Sequence, residues 1–462
     1  MRQKKIMALD YGAGSMRNII GSFNGSRLDF SEIMRQQNLP VKIGENLYWD
    51  IWMMYRFALE SICKESDVYS LGIDTWGADL GLIDGRGKLL FFPLSYRDPK
   101  VQSSASEVFS AISDYELYQS NGTIIEDICP FVHLNYWKKH APEYFAKAEK
   151  IQLMANLVGF LLSGEISFDN TAASPSGMYD LRQDGWNYTL MDKLGMPDIL
   201  PETDPRPDII GKVKAPLSSG EIPIMRICGH DTASALMAVP AKNRDRTIYI
   251  SSGSWVMTGC FLREPVITRE AFEAGLSNEN GFNGEINFLR YSNGLYIIQE
   301  CARDWLNKTN WNIDYDYLEE QAFAMHFEGM IDPDSAEFTY PGNMCEKVRT
   351  YLGKVGYSGS TEKEKIYAAV LNGIAHVSAN TIRDLKRILG KEFDSVYVLG
   401  GGSKSPYLCH RIKMETHLNI YAGPVEASAT GNICTQLIRQ GEIKNTLEAA
   451  ELLNNSIIIQ EY

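Results

Sequence analysis

Cysteine is thinly spread in this chain. Eight occur in 462 residues, with no CxxC pair and no Cys/His spacing of the zinc-binding kind. That argues against a disulfide scaffold or a zinc ribbon, and a reducing cytoplasm is the simple expectation. Long apolar runs are missing as well. The basic start MRQKKIMALD has an apolar run of only four residues, ending at Asp10, too short for a signal-peptide core, and no later stretch is long enough to span a membrane. Basic charge is outweighed: 45 Lys and Arg face 58 Asp and Glu, and the net charge of −13 argues against nucleic acid or an anionic membrane as partner. An anion must then be gripped locally, by backbone amides, one or two cations and a metal. Two nucleotide fingerprints are also incomplete. Gly12 and Gly14 in DYGAGSMR follow a strand, but Arg17 stands where the third glycine of a dinucleotide fold belongs, and NIIGSF reads as extended. GGGSKS lacks the GxxxxGK[ST] spacing of a Walker loop.

What is present is a chain long enough for two domains, with strands and helices interleaved as in an α/β fold. KKIMALD, YGAGSM and RNIIGSF read as strand, turn and strand. YWDIWMMYRFALESICKE is an amphipathic helix with Asp50 as cap and Trp52, Tyr55, Leu59 and Ile62 on helical spacing. DVYSLGIDTWGADLGLID and KLLFFPL read as further strands around a DGRG turn. Near mid-chain RTIYISSGSWVMTGC repeats the first plan, and CGHDTASALMAV is echoed by AGPVEASATGNI, each a Gly-led turn opening a small-residue helix. The repetition predicts a duplicated unit, divided in AVPAKNRDR into residues 1–239 and 240–462. SGEIPIMRI supplies the strand that delivers Asp231. Late in the chain come the long helix KEKIYAAVLNGIAHVSANTIRDLKRIL and the strand DSVYVL, entering the triple-glycine turn.

Asp231 invites two readings. Aspartate is a favoured helix cap, and it is also a general base when held where a hydroxyl can approach. The first hairpin can turn its amides to a phosphate, with Ser15 as a hydroxyl donor, Arg17 as a cation and Asp10 holding Mg²⁺ through water. Together, two phosphate-sized hairpins, a flat glycine turn for a purine and a lone carboxylate are the parts of metal-assisted phosphoryl transfer. Asp79 either binds a sugar hydroxyl or closes its turn. Trp76 reads as core, and His376 on the long helix as structural.

The motifs LDYGAGSMR, GIDTWGADLGLID, YRDP, GHDTASAL, YISSGSW, GLYIIQE, YPGNMC, LGGGSKSPYL and AGPVEASATGNI, in this order over nearly the whole chain, resemble the rhamnulokinase branch of the FGGY carbohydrate kinase family. The resemblance implies two actin-like, ribonuclease-H-like domains closing over a central cleft. It implies ATP-dependent phosphorylation of the 1-hydroxyl of a 6-deoxy-L-ketohexose, with Mg²⁺, and no nucleic-acid or membrane partner. Nothing in it sets the oligomeric state. By matched position it makes Asp231 the proton acceptor and places Gly77, His230, Thr232 and Tyr291 at the sugar. It places Ala13, Gly14, Ser15, Met16 and Arg17 around the ATP phosphates, with Ser254, Gln299 and Gly401 also at the nucleotide and Asp10 at the metal. Three departures stand out: GAGSMR for GASSGR, Ser254 for threonine, and RYSNGLY for KNIMGLW. The last puts Tyr291 where an asparagine touches the sugar, with Asn293 two residues on. L-fuculokinase is the nearest rival. An actin- or chaperone-like ATPase is the alternative of another class, opposed by Asp231; a sugar-sensing relative would have lost Asp10, Arg17 or Asp231, and all three are present.

Overall fold

The first strand decides the architecture by burying both its faces. In the computed structural model, which describes residues 3–204, 206–214, 220–309, 313–357 and 362–462, Met7, Leu9 and Tyr11 of β1 (Lys4–Tyr11) enter one apolar core. Ile6 and Ala8 enter another. A strand covered on both sides has no polar alternation, as IMAL shows. β1, β2 (Ser15–Phe23) and β3 (Leu28–Gln37) form an antiparallel meander, and β4 (Val68–Thr75) joins β1 in parallel. With β5 (Ile209–Lys212) and β6 (Pro223–Met225) the sheet order is β5-β6-β4-β1-β2-β3.

The second sheet repeats this plan. Its strands are β7 (Thr247–Ser252), β8 (Trp255–Leu262), β9 (Ser277–Asn280), β10 (Ile286–Asn293), β11 (Ser395–Leu399), β12 (Asn419–Ala422) and β13 (Gln460–Glu461), in the order β9-β10-β8-β7-β11-β12-β13. The run β10-β8-β7-β11-β12 matches β3-β2-β1-β4-β6 strand for strand, including the switch from antiparallel to parallel pairing. This is the two-domain actin-like fold, and the duplication read from the repeated turns is its basis.

Two helices tie the sheets together. They are α2 (Asp231–Met237) and α5 (Ala427–Arg439), the two members of the sequence echo; between them in the chain lie α3 (Tyr296–Thr309) and α4 (Lys363–Leu389), while α1 (Ile51–Lys64) comes first. α5 follows the second sheet yet lies on the first: Gln436 donates to the Met7 carbonyl at 2.9 Å and accepts from the Ser70 hydroxyl at 2.6 Å. One apolar core contains Ile6 and Ala8, Ala235 and Leu236, Tyr249 and Ile433. Both sheets and both helices share it.

Three expectations need correcting. Asp50 does cap α1, accepting from the Met53 amide at 3.0 Å, but Trp52 is 50% exposed and the buried stripe is Ile51, Met54, Phe57, Ala58 and Ile62. KLLFFPL forms no strand; Leu89 and Leu94 make isolated bridges, and Pro93 has no N–H to offer a ladder. Of SGEIPIMRI only Pro223–Met225 is strand, and residue 219 lies outside those described. No helix among the described residues is long and apolar enough to cross a membrane.

Candidate active site

Strand register brings the acidic groups together. Asp10 ends β1, directly opposite Arg17 on β2 and beside Asp74 on β4. Arg17 stands 3.6 Å from Asp10 and also pairs with Glu426, the residue preceding α5; Arg35 meets the same Glu426 at 3.0 Å. Burial pushes the Asp10 carboxyl up to about 6, against the pull of Arg17 and with added repulsion from Asp231 and Glu426. Burial raises Asp74 too, with Asp10 adding to it, while the Asn432 amide, donating at 2.6 Å from α5, opposes. One oxygen on each of these aspartates, Asp10 Oδ2 and Asp74 Oδ1, is buried without a hydrogen-bond partner.

In the first hairpin Asn38 braces the turn, and the Gly12 amide is bonded to the Ser15 carbonyl at 3.0 Å. Asn38 donates its side-chain amide to Gly12 O at 3.0 Å and its backbone N–H to Gly14 O at 3.2 Å. Gly14 is exposed, and Ala13 and Ser15 are half-buried around it. Met16 differs from its companions: its side chain is buried in the core under α1, so only its backbone faces the turn. In the second hairpin Ser254 is exposed, and its hydroxyl lies 3.4 Å from Gln299 Oε1 on α3. Gly294 and Leu295 bond to the Ser254 and Gly253 carbonyls, docking the start of α3 onto this turn. The triple-glycine turn packs on Ser252. Gly400 has φ +74°, a β-carbon on Gly402 would collide with the Ser252 hydroxyl, and Gly401 alone is exposed. The glycine run thus has a packing reason at two of its three positions.

The other group gathers around α2. The chain reaches it alongside β4: Thr75 N–H bonds Gly229 O at 2.9 Å and Thr75 bridges His230. His230 occupies the cap position, and Asp231 is the first helical residue, so the capping reading of Asp231 is replaced by a first-turn carboxylate. Its side chain is 29% exposed, enough for a hydroxyl to approach. Desolvation pushes its pKa above the usual carboxylate value, outweighing the His230 ring, the Thr232 N–H and Arg17. The Thr232 hydroxyl is buried and points 3.4 Å from Asp231 Oδ1. Gly77 lies against the His230 ring, where a β-carbon would come within 2.7 Å of Nε2.

Tyr291 does not present a free hydroxyl. It donates at 2.5 Å to Glu279, a residue with no warning in the sequence. Asn293, the other candidate on this strand, donates to the Pro333 carbonyl at 3.0 Å instead. Asp79 is likewise committed: its Oδ2 accepts the Trp49 and Trp76 indole N–H groups, each at 2.6 Å, so it closes its turn, and Trp76 is core. His376 pairs with Glu415 at 2.9 Å on the surface.

Residues 5–238 match the N-terminal domain and residues 248–439 the C-terminal domain of the FGGY family of carbohydrate kinases. The chain belongs to that family. The kinase is 28% identical over 471 residues to a rhamnulokinase of Bacteroides thetaiotaomicron, spanning 100% of this chain and 96% of that one. It is 29% identical over 466 residues to a rhamnulokinase of Oceanobacillus iheyensis, spanning 99% and 97%. Solved structures agree in fold at 14% identity. A ligand-bound xylulose kinase from Lactobacillus acidophilus superposes with TM-score 0.78 over 99% of the kinase and 93% of that chain. The Plasmodium falciparum glycerol kinase with ADP gives TM-score 0.78 over 99% and 94%.

Proposed function

We propose that the chain, through an N-terminal unit of residues 1–239 and a C-terminal unit of 240–462, transfers the γ-phosphoryl group of ATP to the 1-hydroxyl of a 6-deoxy-L-ketohexose, with L-rhamnulose first. The observation that carries this is the meeting of Asp231, half-open beside His230 and Gly77, with Asp10 and Arg17. Asp231 takes the hydroxyl proton, the oxygen bonds to the γ-phosphorus, and the bond to the β,γ-bridging oxygen breaks, releasing ADP. Arg17 faces the charge on the transferring group. Residues 13–17, with the hydroxyls of Ser15 and Ser254, and Gln299 line the phosphate path, and open Gly401 receives the purine.

Mg²⁺ fits the residues present. No three His, Cys, Asp or Glu among the described residues form a metal cage, but Asp10 Oδ2, which has Arg17 at 3.6 Å, accepts no hydrogen bond, and neither does buried Asp74 Oδ1 beside it. Mg²⁺ is commonly held by one or two carboxylates plus phosphate oxygens and water. When bound with ATP it supplies charge neutralisation at the phosphates, and Asp10, backed by Asp74, would hold it here.

Rhamnulose is favoured by the curated relatives' name over nearly the full chain. L-fuculose, its C4 epimer, is the second reading, because Tyr291 replaces a sugar-contacting asparagine. A screen of purified L-rhamnulose, L-fuculose, xylulose and glycerol by kcat/KM decides. Rhamnulose is expected to lead; fuculose in the lead reverses the order, and neither rising above the glycerol or xylulose controls removes the reading.

A further inference from the structure

Phosphoryl transfer as described leaves Glu279 without a task. It sits on β9 at the edge of the second sheet, 1% exposed. A buried carboxylate needs donors. Glu279 accepts the Tyr291 hydroxyl at 2.5 Å on one oxygen; its other oxygen and His230 Nδ1 face each other at 3.4 Å, and neither has another hydrogen-bond partner. The opposite ring nitrogen, Nε2, stands 3.5 Å from Asp231 Oδ1 and borders the space left by the missing β-carbon of Gly77. Tyr291, Glu279, His230 and Asp231 form one line from the second sheet to the helix bearing the base.

The chemistry of imidazole gives this line a direction. A carboxylate at Nδ1 takes an N–H there, and the hydrogen bond made by one ring nitrogen sets the state of the other. The charges facing the ring are all acidic: Glu279 from β9, Asp231 from α2 and Asp169 from the segment under the Gly229 amide. Arg17, a cation of the site, acts on Asp231. Burial works against a charged ring, but these acids outweigh it and raise the His230 pKa. A carboxylate stands at each ring nitrogen, Glu279 at Nδ1 and Asp231 at Nε2, and two acids so placed favour hydrogen on both.

We infer that Glu279 is the positioning residue of the sugar pocket: it pins His230 so that an Nε2–H donor points into the gap between Gly77 and Asp231, and thereby fixes which hydroxyl arrangement the pocket accepts. The identity of the acceptor rests on the sugar-kinase reading; the orientation of the ring does not. Tyr291 acts through Glu279, which accounts for a tyrosine at a position where a direct sugar contact is expected. Its hydroxyl is spent on the acid behind the histidine.

Glu279→Gln tests this, since it keeps size and an oxygen acceptor but removes the charge. Two measurements are made on the intact protein. In steady-state kinetics, KM for the best ketose should rise by about tenfold, the scale of a weakened charged hydrogen bond, while KM for ATP stays within about twofold. In ¹⁵N spectra, with His230 assigned through a His230→Gln sample, its two ring nitrogens should lie close together in wild type and move apart in the variant, as a ring losing one proton does. Tyr291→Phe should shift both readouts the same way by less, and it carries the test if Glu279→Gln fails to fold. An unchanged ketose KM, or a His230 signature indifferent to both substitutions, overturns the proposal. If wild type phosphorylates no ketose, the sugar reading fails, while the ¹⁵N response still decides the role of Glu279.

Discussion

Gly431 lies so close to Ser234 that a β-carbon on it would fall onto the Ser234 carbonyl. This is where α5 crosses α2, and the two helices are the echoed pair in the sequence. The blocking atom is backbone, so no rotamer change relieves it. Gly431→Ala improves intrinsic helix propensity by about 1 kcal/mol, yet forces the helices apart in a packed interior, where overpacking costs about 1–3 kcal/mol or more. The expected outcome is net loss of stability in urea unfolding, with Asp74 losing its Asn432 partner as α5 moves. A variant as stable as wild type would mean that the helix crossing has room for a methyl group.

Asp231→Asn should lower kcat by about 10²–10⁴, the usual worth of a general base, and leave thermal unfolding within a few degrees. His230, not Asp231, holds the cap position, so the amide removes no cap from α2. Near-normal turnover in a folded variant would return Asp231 to a structural part.

The sequence made some of this legible and hid the rest for physical reasons. Hairpins closed by Gly and Ser, and a carboxylate between a Gly-His pair and small residues, are local patterns, and each lands where expected. Glu279 belongs to Ser-Asn-Glu-Asn, four polar residues in a row that read as loop. All four are buried, because partners remote in sequence satisfy them: Asn278, for one, bonds Gly122 O at 2.7 Å and the Val266 amide at 2.8 Å. Asn38 and Glu426 are hidden in the same way, since their meaning comes from chain segments 26 and 409 residues distant. Asp74 was within reach: an acid near the end of a strand, in the same setting as Asp10. The face of α1 was misjudged because Trp52 extends the apolar spacing without being needed in the core.

Arg17→Ala should depress kcat by about 10²–10³ while changing the ketose KM little, as expected when a group acts mainly on charge at the transferring phosphoryl. Its pairing with Asp10 and Glu426 adds a second expectation. With the guanidinium gone, Asp10 loses the charge that holds its pKa down, so apparent activation by Mg²⁺ at pH 6 should weaken more than at pH 8. A variant impaired only in sugar binding would move Arg17 out of the phosphate site, and phosphorylation persisting in excess chelator would remove the metal role given to Asp10.

Asp79 should make stability fall as pH rises from about 4 to about 8. Its backbone is left-handed, at φ +76°, and its carboxyl is fully buried beside the turn that carries Gly77. Burial pushes its pKa up to about 8, although the Trp76 and Trp49 indoles and the Tyr96 amide donate to it. His133, 3.3 Å away, gives no compensating charge, because burial drives its own pKa down to about 3. Between the ordinary aspartate value, about 4, and 8, the native state therefore keeps a proton that the unfolded chain releases. Stability from this group is full below that window and is lost as pH climbs through it, by at most about 1.4 kcal/mol per pH unit. His133 acts in the opposite direction, but only below about pH 6.5, where the unfolded chain binds the proton. Unfolding free energies of wild type and Asp79→Asn, measured from pH 6.5 to 9, separate the two. The difference between them should move in the variant's favour up to about pH 8 and level off beyond it, since the amide has no proton to lose. Parallel curves would show that the indoles keep Asp79 ionised throughout, and that the turn beside Gly77 is built around a carboxylate and not an acid.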